Sequence, residues 1–229
     1  VMIFNPLGIR YEVFDNRTSY GEIAEIADGR PVVFRHGYAV AAKYAFYTDG
    51  EAYCQPNIRY RTHQWQFRDD DTRFAGREVL VETPYDEADT TGRVRSVVLP
   101  NGKRFTWFVD THFHPTRLVD ISFTGLPERV AAGDTLRLSL RIDNPYPYNI
   151  DLGGDMSLVM LWKHGRFRVE EFDTGERFRI PAEEEIRREV AFVVPRQLAG
   201  TDFDAGFALR REGYTNWFNG KPLRTEVAR

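Results

Sequence analysis

Asp110, His112 and His114 form the first set of residues whose types and spacing could do chemistry. Alternate residues of a β-strand share one face, so these three side chains could converge on a divalent metal ion. Such a site needs a further ligand and hydrogen-bonding partners for the histidines, and the neighbouring sequence supplies neither. We therefore interpret the trio as the end of a hairpin strand with two partly exposed histidines, and we expect no bound metal.

Nucleophilic and acid–base chemistry has weaker support in the sequence. Cys54 is the single cysteine, and it precedes Gln55-Pro56 without a helix N-terminus to lower its pKa, so we predict a buried and inert thiol. The chain has no Gly-x-Ser-x-Gly motif and no glycine-rich phosphate loop. Acidic pairs such as Glu170-Glu171 are sequence neighbours, which seldom face each other across a cleft. The sequence thus predicts no self-sufficient catalytic site and no cofactor.

A group of aromatic and basic residues is the strongest candidate for a binding site. Arginine and lysine bind phosphates, and aromatic rings pack on sugars or lipids. Two stretches of the first half could meet at one edge of a small sheet, which gives a predicted substrate-binding set of Lys43, Tyr44, Arg59, Tyr60, Arg61 and Trp65. The alternative is that the aromatic residues build the core of a small domain and the arginine side chains cover it.

The elements that must position these residues alternate between strand and helix in the first half of the chain. Residues 31–34 and 79–81 are short apolar runs typical of buried strands. Residues 38–47, between them, have apolar side chains at helical spacing, so we predict a small parallel βαβ element. A further helix is predicted before it, capped by Thr18 or Ser19.

A hairpin and a long connection complete this first half. Residues 94–99 and 104–109 flank Asn101-Gly102, a pair typical of a type I′ turn. The connection over 51–77 is longer than most loops, and we predict one short strand within it, at Ile58–Arg61. The position of the basic residues in this connection depends on how it folds.

The second half consists of strand patterns separated by short turns. Six strands are predicted, at 118–123, 136–142, 158–162, 167–172, 186–194 and 203–210. Apolar and polar residues alternate in the second of these, as in a strand with one buried and one exposed face. The predicted fold class is therefore α+β or all-β with two domains. A small α/β domain (βαβ plus hairpin) covers 1–115, and an immunoglobulin-like β-sandwich covers 116–229.

Composition excludes several classes of function. The 229 residues carry a formal net charge of −3 and no clustered basic face, so nucleic acid is not an expected partner. No apolar run approaches the roughly 20 residues that span a bilayer. A single cysteine cannot form an intrachain disulfide. Because Val1 rather than a methionine opens the chain, we expect a processed product or a fragment of a longer protein.

Eight stretches spread over nearly the whole chain carry a family resemblance: Arg30–Tyr38, Ala42–Tyr47, Ile58–Arg61, Gly76–Val81, Gly125–Gly133, Asn144–Tyr146, Phe207–Arg210 and Tyr214–Trp217. Together they resemble the soluble C-terminal region of bacterial, Bacteroidetes-type membrane glycosyltransferases. That superfamily includes the dolichyl-phosphate-mannose protein mannosyltransferases and the aminoarabinose transferases that modify lipid A.

The resemblance implies a parent enzyme with many transmembrane helices and a polyprenyl-phosphate sugar donor. Its catalytic acidic residue and metal-binding positions would lie in loops among those helices, and none of those positions is present in this chain. The chain would then be a non-catalytic module on the periplasmic face of the inner membrane. Its partner would be the membrane-embedded portion of the same polypeptide, with lipid or glycan as a further candidate. The alternative is a stand-alone periplasmic or cell-surface module that binds carbohydrate or protein.

Overall fold

The structure, a computed structural model, describes five stretches of the chain: residues 12–35, 37–60, 62–67, 71–83 and 92–228. The chain divides into two compact units, the first made of Val1–Gln55 with Thr62–His114 and the second of Pro56–Arg61 with Pro115–Arg229. The predicted ranges assign residues 56–61 to the first domain, whereas the structure groups them with the second unit. Independent folding of 1–115 and 116–229 stays a prediction.

In the residues that the structure describes, the first unit consists of a five-stranded mixed sheet and two helices. Their bounds are α1 Glu12–Ala27, β1 Val32–Phe34, α2 Tyr38–Thr48, β2 Ala52–Cys54, β3 Val79–Glu82, β4 Arg95–Val98 and β5 Arg104–Asp110, with short 3-10 helices at Gln64–Gln66 and Thr72–Phe74. The strand order is β2-β1-β3-β5-β4. Strand β1 is parallel to β2 and β3, and β5 is antiparallel to β3 and β4. The predicted parallel βαβ element is confirmed, and β2 is an additional strand.

Helix α1 contributes one face to the core of this unit. Tyr20, Ile23 and Ala27 recur at three- and four-residue spacing and are all buried with the side chains of β1. The predicted cap at Thr18 or Ser19 is wrong because the helix already begins at Glu12. Ser19 lies buried within the helix, where its hydroxyl accepts a hydrogen bond from the backbone N–H of Asn101 at 3.1 Å.

The hairpin between β4 and β5 forms as predicted, but its turn type differs. The backbone N–H of Gly102 donates to the carbonyl oxygen of Leu99 at 2.8 Å. The N–H of Leu99 donates to the carbonyl oxygen of Lys103 at 2.9 Å. Gly102 has a φ of 78°, whereas Asn101 is not left-handed. A type I′ turn needs positive φ at both central residues, so that prediction is wrong. Pro100 favours a type I turn, and Gly102 follows it as a bulge.

Ten strands form the second unit. Their bounds are β6 Asp120–Thr124, β7 Arg129–Ala131, β8 Thr135–Asn144, β9 Ile150–Asp151, β10 Met156–His164, β11 Arg168–Asp173, β12 Arg179–Ile180, β13 Glu184–Val193, β14 Thr201–Arg211 and β15 Leu223–Ala228, with a 3-10 helix at Arg196–Leu198. One sheet has the order β11-β10-β14-β15-β7 and a second has the order β13-β8-β6, while β9 and β12 pair separately. Each of the six predicted strands overlaps one of these.

The two main sheets pack as an immunoglobulin-like sandwich. The opening strand is divided between them, because β6 pairs with β8 while β7 runs parallel to β15. Over residues 135–143 of β8, apolar residues are buried and polar residues exposed in strict alternation, and the strand ends at the buried polar residue Asn144. Trp162 is fully buried between the sheets, edge-on to Phe203 at 5.8 Å and stacked with Phe192 at 6.2 Å. The predicted fold class is confirmed: a small α/β unit followed by a β-sandwich.

The connection that follows β2 does not contain the predicted short strand. Residues 58–60 form a turn in which both the carbonyl oxygen and the side chain of Asn57 act as acceptors. The backbone N–H of Tyr60 donates to the Asn57 carbonyl, and that of Arg59 donates to Oδ1, each at 2.9 Å. Arg61 lies outside the described residues. Among the described residues, neither helix combines the length and apolar character needed to cross a bilayer.

Candidate anion-binding groove

The segment 56–60 is held against one face of the β10–β14 sheet. Thr215 Oγ1 donates to the carbonyl oxygen of Pro56 at 2.7 Å, and the backbone N–H of Ile58 donates to the carbonyl oxygen of Asn216 at 2.9 Å. On the sheet face opposite the main core, Ile58 also packs on a small apolar cluster, which consists of Val159, Leu161, Ala208 and Phe218. These contacts fix the backbone directly before the two predicted binding residues of this segment.

An open groove of about 670 Å³ lies beside this segment in the second unit. It is lined by Ile58, Arg59, Tyr60, Lys163, Gly165 and Arg166. Ile58, Arg59 and Tyr60 come from the connection between β2 and β3. The others come from the end of β10 and the turn that follows it. Its volume falls within the range of small-molecule sites, roughly 300–1,000 Å³.

Three cationic side chains line this groove. In the part of the chain that the structure describes, Arg59, Lys163 and Arg166 form no ion pair with a carboxylate. Arg210, on the same sheet, shows the commoner arrangement, because its Nη1 lies 3.0 Å from Glu171 Oε1. Three cations without an ion-pair partner in one groove favour an anionic ligand, above all one with phosphate oxygens.

The charged residues of the groove differ in their exposure to solvent. Arg59 and Arg166 are exposed, whereas Lys163 and Tyr60 are half-buried. The β10–β14 register places Asp204 opposite Lys163, the two beyond ion-pairing distance. The site therefore combines two exposed guanidinium groups with a half-buried ammonium group and a half-buried aromatic residue.

The six predicted binding residues are distributed over both units. Arg59 and Tyr60 line the groove. Lys43 is exposed on α2, and Tyr44 beside it is buried in the first-unit core. Trp65 packs on the same core and meets Tyr53 edge-on at 6.4 Å. Arg61 lies outside the described residues. Substrate binding by this set stays a prediction, with Tyr44 placed as the core alternative expects.

Two residues of the groove were missed by sequence reasoning. Lys163 and Arg166 belong to the stretch Lys-His-Gly-Arg-Phe-Arg at 163–168, in which the sequence predicts a turn and the start of the strand at 167–172. The available signal was the aromatic residue among four basic or titratable ones in a turn, a composition suited to an anionic surface. Their meeting with Arg59 depends on tertiary structure and has no local signature.

The carboxyl ends of the parallel strands in the first unit are a second place where ligands commonly bind. Cys54 ends β2, and its Sγ lies 3.6 Å from His63 Nε2. Glu82 ends β3, where its Oε2 accepts a hydrogen bond from the backbone N–H of Arg35 at 3.0 Å. This arrangement resembles a cysteine–histidine pair, so its protonation decides what it can do.

Burial keeps this pair neutral. It raises the pKa of the Cys54 thiol to about 12, with the charge of Glu82 adding to the effect, and it lowers the pKa of His63. Burial also raises the pKa of the Glu82 carboxyl. A nucleophilic cysteine needs the opposite shift, towards the thiolate. The thiol is therefore buried, as predicted, and unsuited to nucleophilic attack.

The histidine trio does not share one face. Asp110 is the last residue of β5, and its Oδ1 accepts a hydrogen bond from the backbone N–H of His112 at 3.1 Å. The chain leaves extended geometry at that point, so the alternation that would align Asp110, His112 and His114 stops. Both histidines are exposed. Across the described residues, no group of three His, Cys, Asp or Glu side chains is placed to hold a metal ion.

A second groove in the sandwich, of about 790 Å³, is lined by both carboxylates and arginines. Asp202 lines this groove and forms an ion pair with Arg224. Its Oδ1 also lies 3.3 Å from Nδ1 of His164. Glu128 and Glu226 also line it, opposite these cations. Because its charges offset one another within the protein, this groove is a weaker candidate for an ionic ligand than the cationic one.

Known proteins give little guidance. No protein-family model matches the chain, and no curated protein matches it. Among solved structures, the chain is similar to Spo0M, a sporulation control protein from Bacillus subtilis, at 12% identity and a TM-score of 0.31. That match covers 49% of this chain and 50% of the Spo0M chain. A similarity this low carries no argument about fold or function.

Proposed function

We propose that this chain is a non-catalytic, extracytoplasmic module that binds a phosphate-bearing ligand in the cationic groove. The observation that carries the proposal is the grouping of Arg59, Lys163 and Arg166 around one cavity without carboxylate partners in the described chain. Guanidinium groups match phosphate oxygens in geometry as well as in charge. Tyr60 also lines the groove, and in this proposal its side chain packs on a sugar attached to that phosphate.

The sequence resemblance supports a more specific form of this proposal. A module of a polyprenyl-phosphate-sugar-dependent membrane glycosyltransferase would meet a sugar phosphate or a lipid head group, and the groove has the charge and size for either. In that form the chain positions the acceptor or the head group while the chemistry occurs in the membrane-embedded portion. The gene would then encode multiple hydrophobic segments upstream of Val1.

Calorimetric titration with a sugar 1-phosphate, and with the same sugar lacking phosphate, tests the binding proposal. We expect the phosphorylated sugar alone to bind. Replacing Arg59 and Arg166 by alanine should weaken binding by about tenfold or more per arginine, since each charge-assisted hydrogen bond contributes roughly 1.5–3 kcal/mol. Arg137→Ala is the matched control, because Arg137 is an exposed arginine of β8 outside the groove.

Three outcomes contradict the proposal. Equal binding of the neutral sugar would favour the alternative of a stand-alone carbohydrate-binding sandwich. Unchanged affinity in the Arg59→Ala, Arg166→Ala double variant would show that the groove is not the phosphate site. Loss of binding in the Arg137→Ala control would show that the effect comes from overall charge rather than from this groove.

A further inference from the structure

The hairpin between β10 and β11 presents an aromatic ring to solvent beside the cationic groove. His164 and Arg168 are the last paired residues of the two strands, so residues 165–167 form the tip. Phe167 at this tip is 77% exposed. The guanidinium carbon of Arg166 lies 5.3 Å from the centroid of its ring. A large apolar side chain and the groove cations therefore share one projecting turn.

Side-chain hydrogen bonds anchor the base of this hairpin to the rest of the sandwich. Arg168 Nη1 donates to Thr201 Oγ1 at 3.3 Å, and its Nη2 donates to the carbonyl oxygen of Gln197 at 3.2 Å. On the other strand, Nδ1 of His164 lies 2.7 Å from the carbonyl oxygen of Asp202. Arg168 and His164 are thus engaged with the sandwich, whereas Phe167 and Arg166 project beyond it. A single exposed apolar residue is ordinary on a protein surface, but Phe167 lies next to Arg166 and on the same hairpin as Lys163, two cations that line the groove.

We propose that this tip docks on an anionic lipid bilayer, with the Phe167 ring inserted at the boundary between head groups and acyl chains. Lys163, Arg166 and Arg59 would then contact lipid phosphates at the level of the groove. The match is one of charge and polarity, because interfacial segments combine an apolar anchor with lysine and arginine. The inference deepens the proposed function, since it adds that the phosphate is presented at a membrane surface.

Vesicle co-sedimentation tests the docking step by itself. The probes are phosphatidylcholine vesicles with and without phosphatidylglycerol, and the whole chain is used. We expect binding to the anionic vesicles only, because each cation near such a surface contributes about 1 kcal/mol, or roughly fivefold in affinity. Replacing Lys163 and Arg166 by alanine should therefore reduce the partition coefficient about 25-fold.

The ring is tested with a size-matched control. Phe167→Ala is expected to reduce partitioning about tenfold through the lost apolar burial. Phe46→Ala is the control, because it removes the same type of side chain from the first unit, where Phe46 is 80% exposed. In a separate Phe167→Trp variant, the added indole emission should shift to shorter wavelength on anionic vesicles. Both phenylalanines are exposed, so neither alanine variant should impair folding.

The outcomes separate this inference from the binding proposal. Sugar phosphate binding without vesicle binding would overturn membrane docking and leave the groove as a site for soluble phosphates. Equal partitioning of the Phe167→Ala and Phe46→Ala variants would overturn the insertion of Phe167. Phe167-dependent vesicle binding without sugar phosphate binding would support docking and overturn the proposed ligand.

Discussion

Replacement of Asn219 tests how the second unit is held together. This side chain is only 2% exposed and makes three hydrogen bonds to backbone groups. Its Oδ1 accepts from the N–H of Leu209 at 2.8 Å, and its Nδ2 donates to the carbonyl oxygens of Thr116 at 2.7 Å and Val119 at 3.1 Å. One amide thus joins β14 to the segment that leads into β6.

The loss of stability expected on replacing Asn219 follows from its three side-chain hydrogen bonds. A buried hydrogen bond contributes about 1 kcal/mol net, so Asn219→Ala should lower the free energy of unfolding by about 3 kcal/mol. Asn219→Asp keeps the acceptor for Leu209 but turns a carboxylate oxygen towards the two carbonyl oxygens. Because that charge is buried and faces like partial charges, the aspartate variant should be the less stable of the two at neutral pH.

Urea unfolding, followed by tryptophan fluorescence with the m-value compared between variants, measures both effects. Asn149→Ala is the control, because Asn149 Oδ1 accepts one hydrogen bond, from the N–H of Ala182 at 2.9 Å, in an exposed turn. The control should lose about 1 kcal/mol or less. The reasoning would be refuted by an Asn219→Ala variant as stable as the control, or by an aspartate variant more stable than the alanine variant.

Three further predictions concern single positions. Cys54 should stay unmodified by a thiol reagent at neutral pH in the native chain and react fully in urea, because burial raises its pKa to about 12; rapid native labelling would contradict this. Burial raises the folded-state pKa of Glu82, so its contribution to stability is full below the unfolded pKa and falls as pH rises through the folded one. Glu82→Gln should therefore flatten the loss of stability from acidic to neutral pH in urea unfolding, and an unchanged slope would count against it. A Cβ at Gly220 would overlap the carbonyl group of Ile121, so Gly220→Ala should cost about 1–3 kcal/mol, whereas Gly154→Ala, with open space around it, should cost little.

The sandwich was predictable wherever a strand separates a buried apolar face from an exposed polar one. Strand β8 has that pattern over residues 135–143, and its prediction needed no tertiary information. Strand β15 was missed because a polar residue occupies its buried face. Thr225 is 1% exposed, and its hydroxyl donates to the carbonyl oxygen of Pro127 at 2.8 Å. That partner lies 98 residues away, so the local sequence gives no reason to expect a buried threonine.

The candidate site was half predictable for a related reason. Arg59 and Tyr60 stand out by composition, but sequence proximity grouped them with Lys43 and Trp65. The structure supplies Lys163 and Arg166 as their neighbours in the groove. The local sequence shows which residues are of a type that binds phosphate. Which of them lie together depends on contacts between residues distant in sequence.

Residues 56–60 are therefore as much a part of the site as the sandwich that receives them. Thr215 and Pro56, which join them to it, are 159 residues apart in sequence. A sandwich cut at the predicted boundary would keep Lys163 and Arg166, but it would lose Arg59. It would also expose the apolar cluster that Ile58 covers, so solubility and anion binding should decline together. Because this short segment belongs to the second unit, any form of the protein that contains a complete groove must include residues 56–60 together with the sandwich.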